Sequence, residues 1–279
     1  MKSSSPIRKI GRLYHSRKAL AIPVTFLILF VSTLFMVAVT YYFAVERISA
    51  KSQSIKVSLA RENMMSLDED LSSVLWQSTS SRTFDFSDCG GQLNVKPFVN
   101  QLSINVTDND SIYSTVFNDA VGCVVYELPY SETADTGLFL KGDNRAVLNQ
   151  SGYSMSQLYI RKGVQHAEIL LQYRPIVSYV ATGTEGNKTV NNVRIYVVSL
   201  NSSQTIELMG RVPLRITCES TVNSVTSFDV NYQPSPLIVT ACVGEFSGQV
   251  PVPISSTSYG AIINVELVLC KIQIERWVW

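Results

Sequence analysis

The sequence predicts an α+β chain: a long N-terminal helix, apolar in its first part and amphipathic in its second, followed by an all-β, sandwich-like domain. Three observations predict it. The stretch from Ala19 to Val45 holds 27 residues without a charge, no Gly or Pro occurs between Val24 and Cys89, and from about residue 84 short runs rich in Val, Ile, Tyr and Thr alternate with turn residues. About 20 apolar residues in a helix cross the hydrocarbon core of a bilayer, so residues 19–45 are long enough to span.

Residues 1–18 are small and basic, with Lys2, Arg8, Lys9, Arg12, Arg17 and Lys18 and no acidic residue. Short basic flanks of this kind stay on the cytoplasmic side, so the N-terminus is expected inside and everything after Val45 outside. A secretory apolar region is shorter, roughly 7–15 residues, and ends in a small-x-small site; here Glu46 and Arg47 follow instead. Tyr41, Tyr42 and Phe43 stand at the outer end, where an interfacial aromatic belt is expected.

Residues 46–78 continue the helix as an amphipathic extension. Ile48, Ile55, Leu59, Met64, Leu67, Leu71 and Val74 or Leu75 recur at spacings near three, four and seven, which places them on one face. Lys51, Lys56, Arg61 and the Asp68, Glu69, Asp70 run are assigned to the opposite, solvated face. Residues 20–78 would form a rod of about 90 Å at 1.5 Å per residue, about three times what a bilayer needs. Two coverings for the stripe stay open: the chain's own β domain, or other copies.

Gly90 and Gly91 mark the boundary into residues 84–279, the external β-rich part. Alternation at Val193, Ile195 and Val197 and at Ile272 and Ile274 fits antiparallel strands of a sandwich or barrel. A subdivision near residue 165 and a single domain are both compatible with the pattern. Five sequons, at Asn105, Asn109, Asn149, Asn187 and Asn201, all fall in the part placed outside and are glycosylation candidates. So do all five cysteines, Cys89, Cys123, Cys218, Cys242 and Cys270. None lies in a C-x-x-C pair or near a histidine cluster, which favours disulfides in an oxidising space over metal. Five thiols allow fifteen arrangements of two bridges and one free thiol; Cys89 with Cys123 is the natural local pair, and the other three share the second half.

A net charge of +1, from 23 basic and 22 acidic residues, leaves no basic footprint for nucleic acid, which is not expected as a partner. Enzyme chemistry has little to stand on. His166 and Glu168 alternate onto one strand face, but no nucleophile, metal triad or glycine loop comes with them. Neither Asp85 and Asp88 nor Asp108, Asn109 and Asp110 has the spacing of a calcium loop. No cofactor or metal is expected. The terminal Trp277, Val278, Trp279 predicts a final strand packed into a sheet.

The basic leader ending in Arg17-Lys18-Ala19, the LAIPVTFLILF that follows, and an unbroken helix leading into a β domain resemble the archaeal type IV pilin-like proteins with a class III signal peptide. The resemblance implies that a prepilin peptidase cuts once, next to Ala19, with Lys18, Ala19 and Leu20 as the processing residues, leaving Ala19 or Leu20 as the mature N-terminus and Pro23 in the first turn. It also implies that the retained helix, through Phe26, Leu29, Phe30, Leu34, Phe35 and Val39, bundles with other pilin-like subunits in a filament. The bacterial branch has glycine before the cut and glutamate at the fifth mature position, where this chain has Ala19 and Pro23 or Val24. The large external part points to a minor or tip subunit. The expectation is therefore a single-pass, structural subunit of a cell-surface appendage. Its rival is a signal-anchored extracellular binding module that stays in the membrane.

Overall fold

The computed structural model describes residues 17–108, 112–129, 136–150, 154–164, 166–201 and 205–277, with the backbone alone for 17–22 and 201. One helix, α1 (Arg17–Val74), comes first. The strands that follow are β1 (Ser81–Phe86), β2 (Gln92–Thr107), β3 (Tyr113–Glu127), β4 (Phe139–Lys141) and β5 (Leu148–Asn149). Next come β6 (Ser156–Lys162), β7 (Ala167–Tyr173), β8 (Ile176–Glu185), β9 (Lys188–Asn201) and β10 (Ile206–Met209). The last four are β11 (Val212–Val230), β12 (Leu237–Val243), β13 (Phe246–Val252) and β14 (Ala261–Arg276). Two compact units divide the chain, Met1–Ser54 and Ile55–Trp279.

In the first unit, α1 is continuous and its large apolar side chains from Val24 to Val45 are exposed. Three hydroxyls in this stretch turn inward on the helix itself. Ser32 Oγ donates to the Leu29 carbonyl (2.9 Å), Thr33 Oγ1 to the Phe30 carbonyl (2.8 Å) and Thr40 Oγ1 to the Met36 carbonyl (2.8 Å). Hydroxyls satisfied this way present no unmet donor to an apolar surrounding. One helix is thus long and apolar enough to cross a membrane, which is compatible with a single-pass anchor.

The second unit is mostly β. One sheet has the order β1-β11-β14-β9-β8-β5, the other β13-β12-β2-β3-β7-β6-β4 with β10 also on β2. Antiparallel pairing is the rule, but the short β5 pairs in parallel with β8, and β9 and β14 pair in parallel from Thr189 with Ala261 to Asn201 with Gln273. That departs from the antiparallel expectation. The reason is the crossover: β10, β12 and β13, which lie between the two strands in sequence, join the other sheet, and β11 pairs on the far side of β14. β6 and β7, on either side of residue 165, pair as neighbours in one sheet.

The largest core cluster joins α1 to strands of both sheets. Ala60, Met64, Leu67, Leu71 and Val74 pack with Leu93, Val124, Ile169, Leu214 and Ile272, among others. Each large apolar side chain buried there contributes about 1.5–3 kcal/mol. Of the two coverings left open by the sequence, the chain's own β domain takes residues 60–74, while Ile48 and Ile55 stay exposed. A second cluster, without the helix, lies between strands of the two sheets around Ile104, Val193, Val239 and Ile263. At Gly122 the sheets meet backbone to backbone: a Cβ there would lie 2.1 Å from the Leu200 carbonyl oxygen, so only glycine admits the approach.

Asp68 corrects the sequence reading. It was assigned to the solvated face with Glu69 and Asp70, yet it is fully buried. Its position explains why: Asp68 is four residues after Met64 and three before Leu71, so it shares their face. It accepts hydrogen bonds from Lys141 Nζ (2.5 Å), Tyr173 OH (2.8 Å) and Ser156 Oγ (2.9 Å), which ties α1 to β4, β7 and β6. Glu69 is exposed, and Asp70 pairs with Arg82 at 3.0 Å.

The helix ends four residues short of the expected Ser78. Trp76 takes a left-handed φ of 67°, an uncommon conformation for a bulky residue. It is held by an edge contact with Tyr196, ring centroids 5.3 Å apart. Thr79 N then donates to the Cys218 carbonyl, and Cys218 N to the Ser80 carbonyl, both at 2.9 Å, which leads the chain into β1 beside β11. At the other end β14 packs into the first sheet as expected, with Trp277 N donating to the Pro213 carbonyl (2.9 Å) and the Arg215 guanidinium 5.1 Å from the Trp277 ring. Val278 and Trp279 lie outside the described residues.

Candidate functional site

Two places in the molecule are candidates: the apolar part of α1 and a polar groove on the second sheet. On α1, Phe26, Leu29, Phe30, Leu34, Phe35 and Val39 are all exposed, as an assembly or lipid-facing segment needs. Lys18, Ala19 and Leu20 lie within the helix backbone, and their side chains are outside the described residues. Because α1 starts at Arg17, Pro23 sits inside it. A proline there has no N–H for the carbonyl four residues back, at Ala19, and its ring crowds that carbonyl.

The groove lies on the face of the second sheet turned away from the helix. Its cavity volume is about 670 Å³. Strand alternation puts Val124, Tyr126, Leu158, Ile160, Ile169 and Leu171 into the core shared with α1. The same alternation turns Tyr159, Arg161, Glu168 and Gln172 to the other face, where they line the groove. The turn residues Gly244 and Glu245, between β12 and β13, and the start of the β6–β7 turn at Gly163 complete its rim.

Its polar groups are fixed by one another. Gln157 and Gln172 are direct cross-strand partners, as are Arg161 and Glu168. Asn100 Nδ2 donates to Gln172 Oε1 (2.7 Å), Gln172 Nε2 to Gln157 Oε1 (2.9 Å), and Gln157 Nε2 to the Asp143 carbonyl (2.7 Å). Arg161 Nε donates to Glu168 Oε2 at 2.8 Å. Beneath them Cys123, Val125, Tyr159 and Leu170 form a small apolar cluster with Phe139 and Phe246 against it. Burial pushes the Tyr159 phenol up to about 12, against the pull of the Arg161 charge, and pushes the Cys123 thiol up as well.

The loop after β4 is clamped from the same side. Arg174, buried, donates through Nη1 to the Asp143 carboxylate and to the Arg145 carbonyl (2.9 Å), and through Nη2 to the Ser154 carbonyl (3.2 Å). The hydrogen bond from Arg145, with that from Arg174, holds the Asp143 carboxyl well below the usual carboxylate range.

The structure brings some of the remaining candidates together and not others. The five cysteines are thiols. Cys89 lies in the core beside α1 and Cys123 in the separate cluster under the groove, so the local pair is not brought together. Cys218 and Cys270, both buried, have their sulfurs 3.5 Å apart. Cys242 is exposed. Of the sequons, Asn149 and Asn187 are exposed, whereas Asn105 is half-buried and its Oδ1 accepts from Thr115 Oγ1 (2.9 Å). Asn109 and the Asn201 side chain lie outside the described residues. His166 is exposed, and Glu168 is engaged with Arg161. Among the described residues no group of His, Cys, Asp and Glu is placed to hold a metal.

The groove went unread in the sequence. The local signal that could have raised it is polar alternation on two strands that were otherwise apolar, at Gln157, Tyr159 and Arg161 and at Glu168 and Gln172. Comparison with known proteins gives no match to a family model, to a curated protein or to a solved structure.

Proposed function

We propose that this chain is a structural subunit of a cell-surface appendage, pilin-like and in a minor or tip position, assembled through its N-terminal apolar helix. In this reading the basic leader is cytoplasmic and the two sheets form a sandwich-like external body. One observation carries it: α1 runs without a break from an exposed apolar stretch to residues 60–74, which are core of the β domain. A mere tether needs no such continuity, because a flexible linker would hold a domain near a membrane equally well. Pro23 adds support. Cleavage after Ala19 would remove the carbonyl that its ring crowds and leave it in the first turn, where a missing N–H is harmless.

The mature N-terminus tests the proposal. Mass spectrometry of protein from its native host is expected to find a chain beginning at Ala19 or Leu20, and the other pilin-like subunits and the prepilin peptidase follow as partners. A chain that keeps residues 1–18 would overturn the filament reading. The second reading, a signal-anchored extracellular binding module that stays in the membrane, would then stand, and the polar groove is the observation that favours it.

An external position also has a chemical consequence. With sulfurs 3.5 Å apart on paired strands, beside a register shift between Cys218 and Ser220, Cys218 and Cys270 are the pair placed to close a disulfide. The two thiols lose two protons and two electrons to a thiol–disulfide oxidoreductase or to oxidised glutathione as the chain folds. Peptide mapping without reductant is expected to recover these two cysteines in one linked peptide pair, 2 Da lighter than the sum of the thiol forms. Alkylation of both thiols in unfolded, unreduced protein would refute the pairing.

A further inference from the structure

We infer that the groove on the outer face of the second sheet is a binding site for a neutral, polyhydroxylated ligand, a carbohydrate of one to three sugar units. The inference goes beyond the proposed function and does not depend on the fate of the leader, since a filament subunit and an anchored module would present the same groove.

The size fits. A cavity near 670 Å³ lies within the roughly 300–1,000 Å³ range of small-molecule sites. Charge selects the class. Arg161 and Lys162 are balanced by Glu168 and Glu245, so the lining is neutral as a whole. A phosphate or carboxylate would meet two carboxylates, and an organic cation would meet an arginine and a lysine. An apolar ligand would have to strip water from amides and charges without replacing their hydrogen bonds.

The chemistry of the lining narrows it further. Sugar hydroxyls each donate and accept, and vicinal pairs are best met by planar groups that offer two atoms at once, such as a carboxylate, a guanidinium or a carboxamide. The groove holds all three kinds, in Glu168, Arg161 and Asn100, with Gln172 behind Asn100 as its support. They are held ready. The Arg161–Glu168 pair and the Asn100–Gln172–Gln157 amide chain lock these side chains against one another, so a ligand meets groups whose rotamers are already ordered. Gln172 and Glu168 are also buried, 2% and 8% exposed, on a sheet face where a solvated polar residue would stand open. Gly163 shows how closely the rim is drawn to them: a Cβ there would lie 2.6 Å from Glu168 Oε1.

The test uses the full chain in lauryldimethylamine oxide micelles, because a sugar-headed detergent would compete. Saturation-transfer NMR is run with glucose, galactose, mannose, N-acetylglucosamine, lactose, maltose and cellobiose, each at 5 mM, with inorganic phosphate and sialyllactose as charged comparators. At least one neutral sugar is expected to give transfer, weakened 10-fold or more in Asn100→Ala and in Glu245→Ala. Glu245 is exposed, so Glu245→Ala is expected to keep the melting temperature of the parent, which separates lost contacts from lost folding, whereas Asn100→Ala also takes the donor from the buried Gln172 Oε1 and is expected to melt lower. Transfer from none of the neutral sugars, from a charged comparator alone, or undiminished in both variants would overturn the assignment.

Discussion

Replacing Asp68 with alanine is expected to destabilise the β domain by about 2–5 kcal/mol, because two buried hydroxyl donors lose their acceptor at about 1–3 kcal/mol each. The carboxylate is fully buried and receives Lys141, Tyr173 and Ser156 together. Without it, the Tyr173 phenol and the Ser156 hydroxyl are left unmet beside a core made by Met64, Leu67 and Leu71, while the partly exposed Lys141 ammonium can turn to water. The loss exceeds that of an ordinary hydrogen bond, about 1 kcal/mol, because the desolvation of the abandoned groups is no longer offset. Guanidinium titration of the full chain in micelles, followed by the fluorescence of Trp76 and Trp277, measures it. The combined replacement Asp68→Leu, Lys141→Met and Tyr173→Phe is expected to recover most of the loss, since an apolar set can pack where an unpaired charge cannot. A single-variant effect under about 1 kcal/mol would show that the network does not hold α1 in place.

Alkaline pH is expected to unfold the domain steeply between pH 10 and 12. Tyr126, Tyr159 and Tyr173 are all raised above the ordinary phenol value, in each case chiefly by burial. Tyr159 stands at about 12, and Tyr173 is raised further by its hydrogen bond to the Asp68 carboxylate. The sign follows from proton binding. The unfolded chain releases these protons near pH 10 while the folded chain keeps them, so the stability they confer is complete below pH 10 and is lost as pH rises through the folded values. Each tyrosine contributes a slope of about 1.4 kcal/mol per pH unit, and three together about 4 kcal/mol per unit, against a typical total of 5–15 kcal/mol. The thiols of Cys89 and Cys123, also raised by burial, begin the decline near pH 9. Denaturation midpoints at pH 8, 10, 11 and 12 check this. Tyr159→Phe should remove about a third of the tyrosine contribution to the slope over that window, and a midpoint unchanged from pH 8 to 11 would sink the account.

The parts of the molecule legible in the sequence are those decided by neighbours in the chain. Residues 19–45 and the stripe from Leu59 to Val74 follow from helical spacing, which closes every three to four residues, and from the absence of Gly and Pro between Val24 and Cys89. Strands likewise show themselves through alternation, although β9 and β14, at 14 and 16 residues, run longer than the short runs suggest, and the final strand shows itself through the apolar pattern ending at Trp277. Even so, the helical reading misplaced Asp68, because its charge outweighed a position that shares a face with Met64 and Leu71.

Tertiary structure alone decided which strands meet and what each face covers. β9 lies parallel to β14 although more than fifty residues separate them, because the intervening strands joined the other sheet or took the far side of β14, and no local pattern records that choice. The same long-range pairing put Cys218 against Cys270 in place of Cys89 against Cys123. It also set Arg161 beside Glu168 and Gln157 beside Gln172, which made a polar groove from side chains that alternation merely turns away from the core. Helical spacing is a property of the chain; the partner of a strand face is a property of the fold, set by whichever non-local pairing buries the most apolar surface while meeting every backbone hydrogen bond.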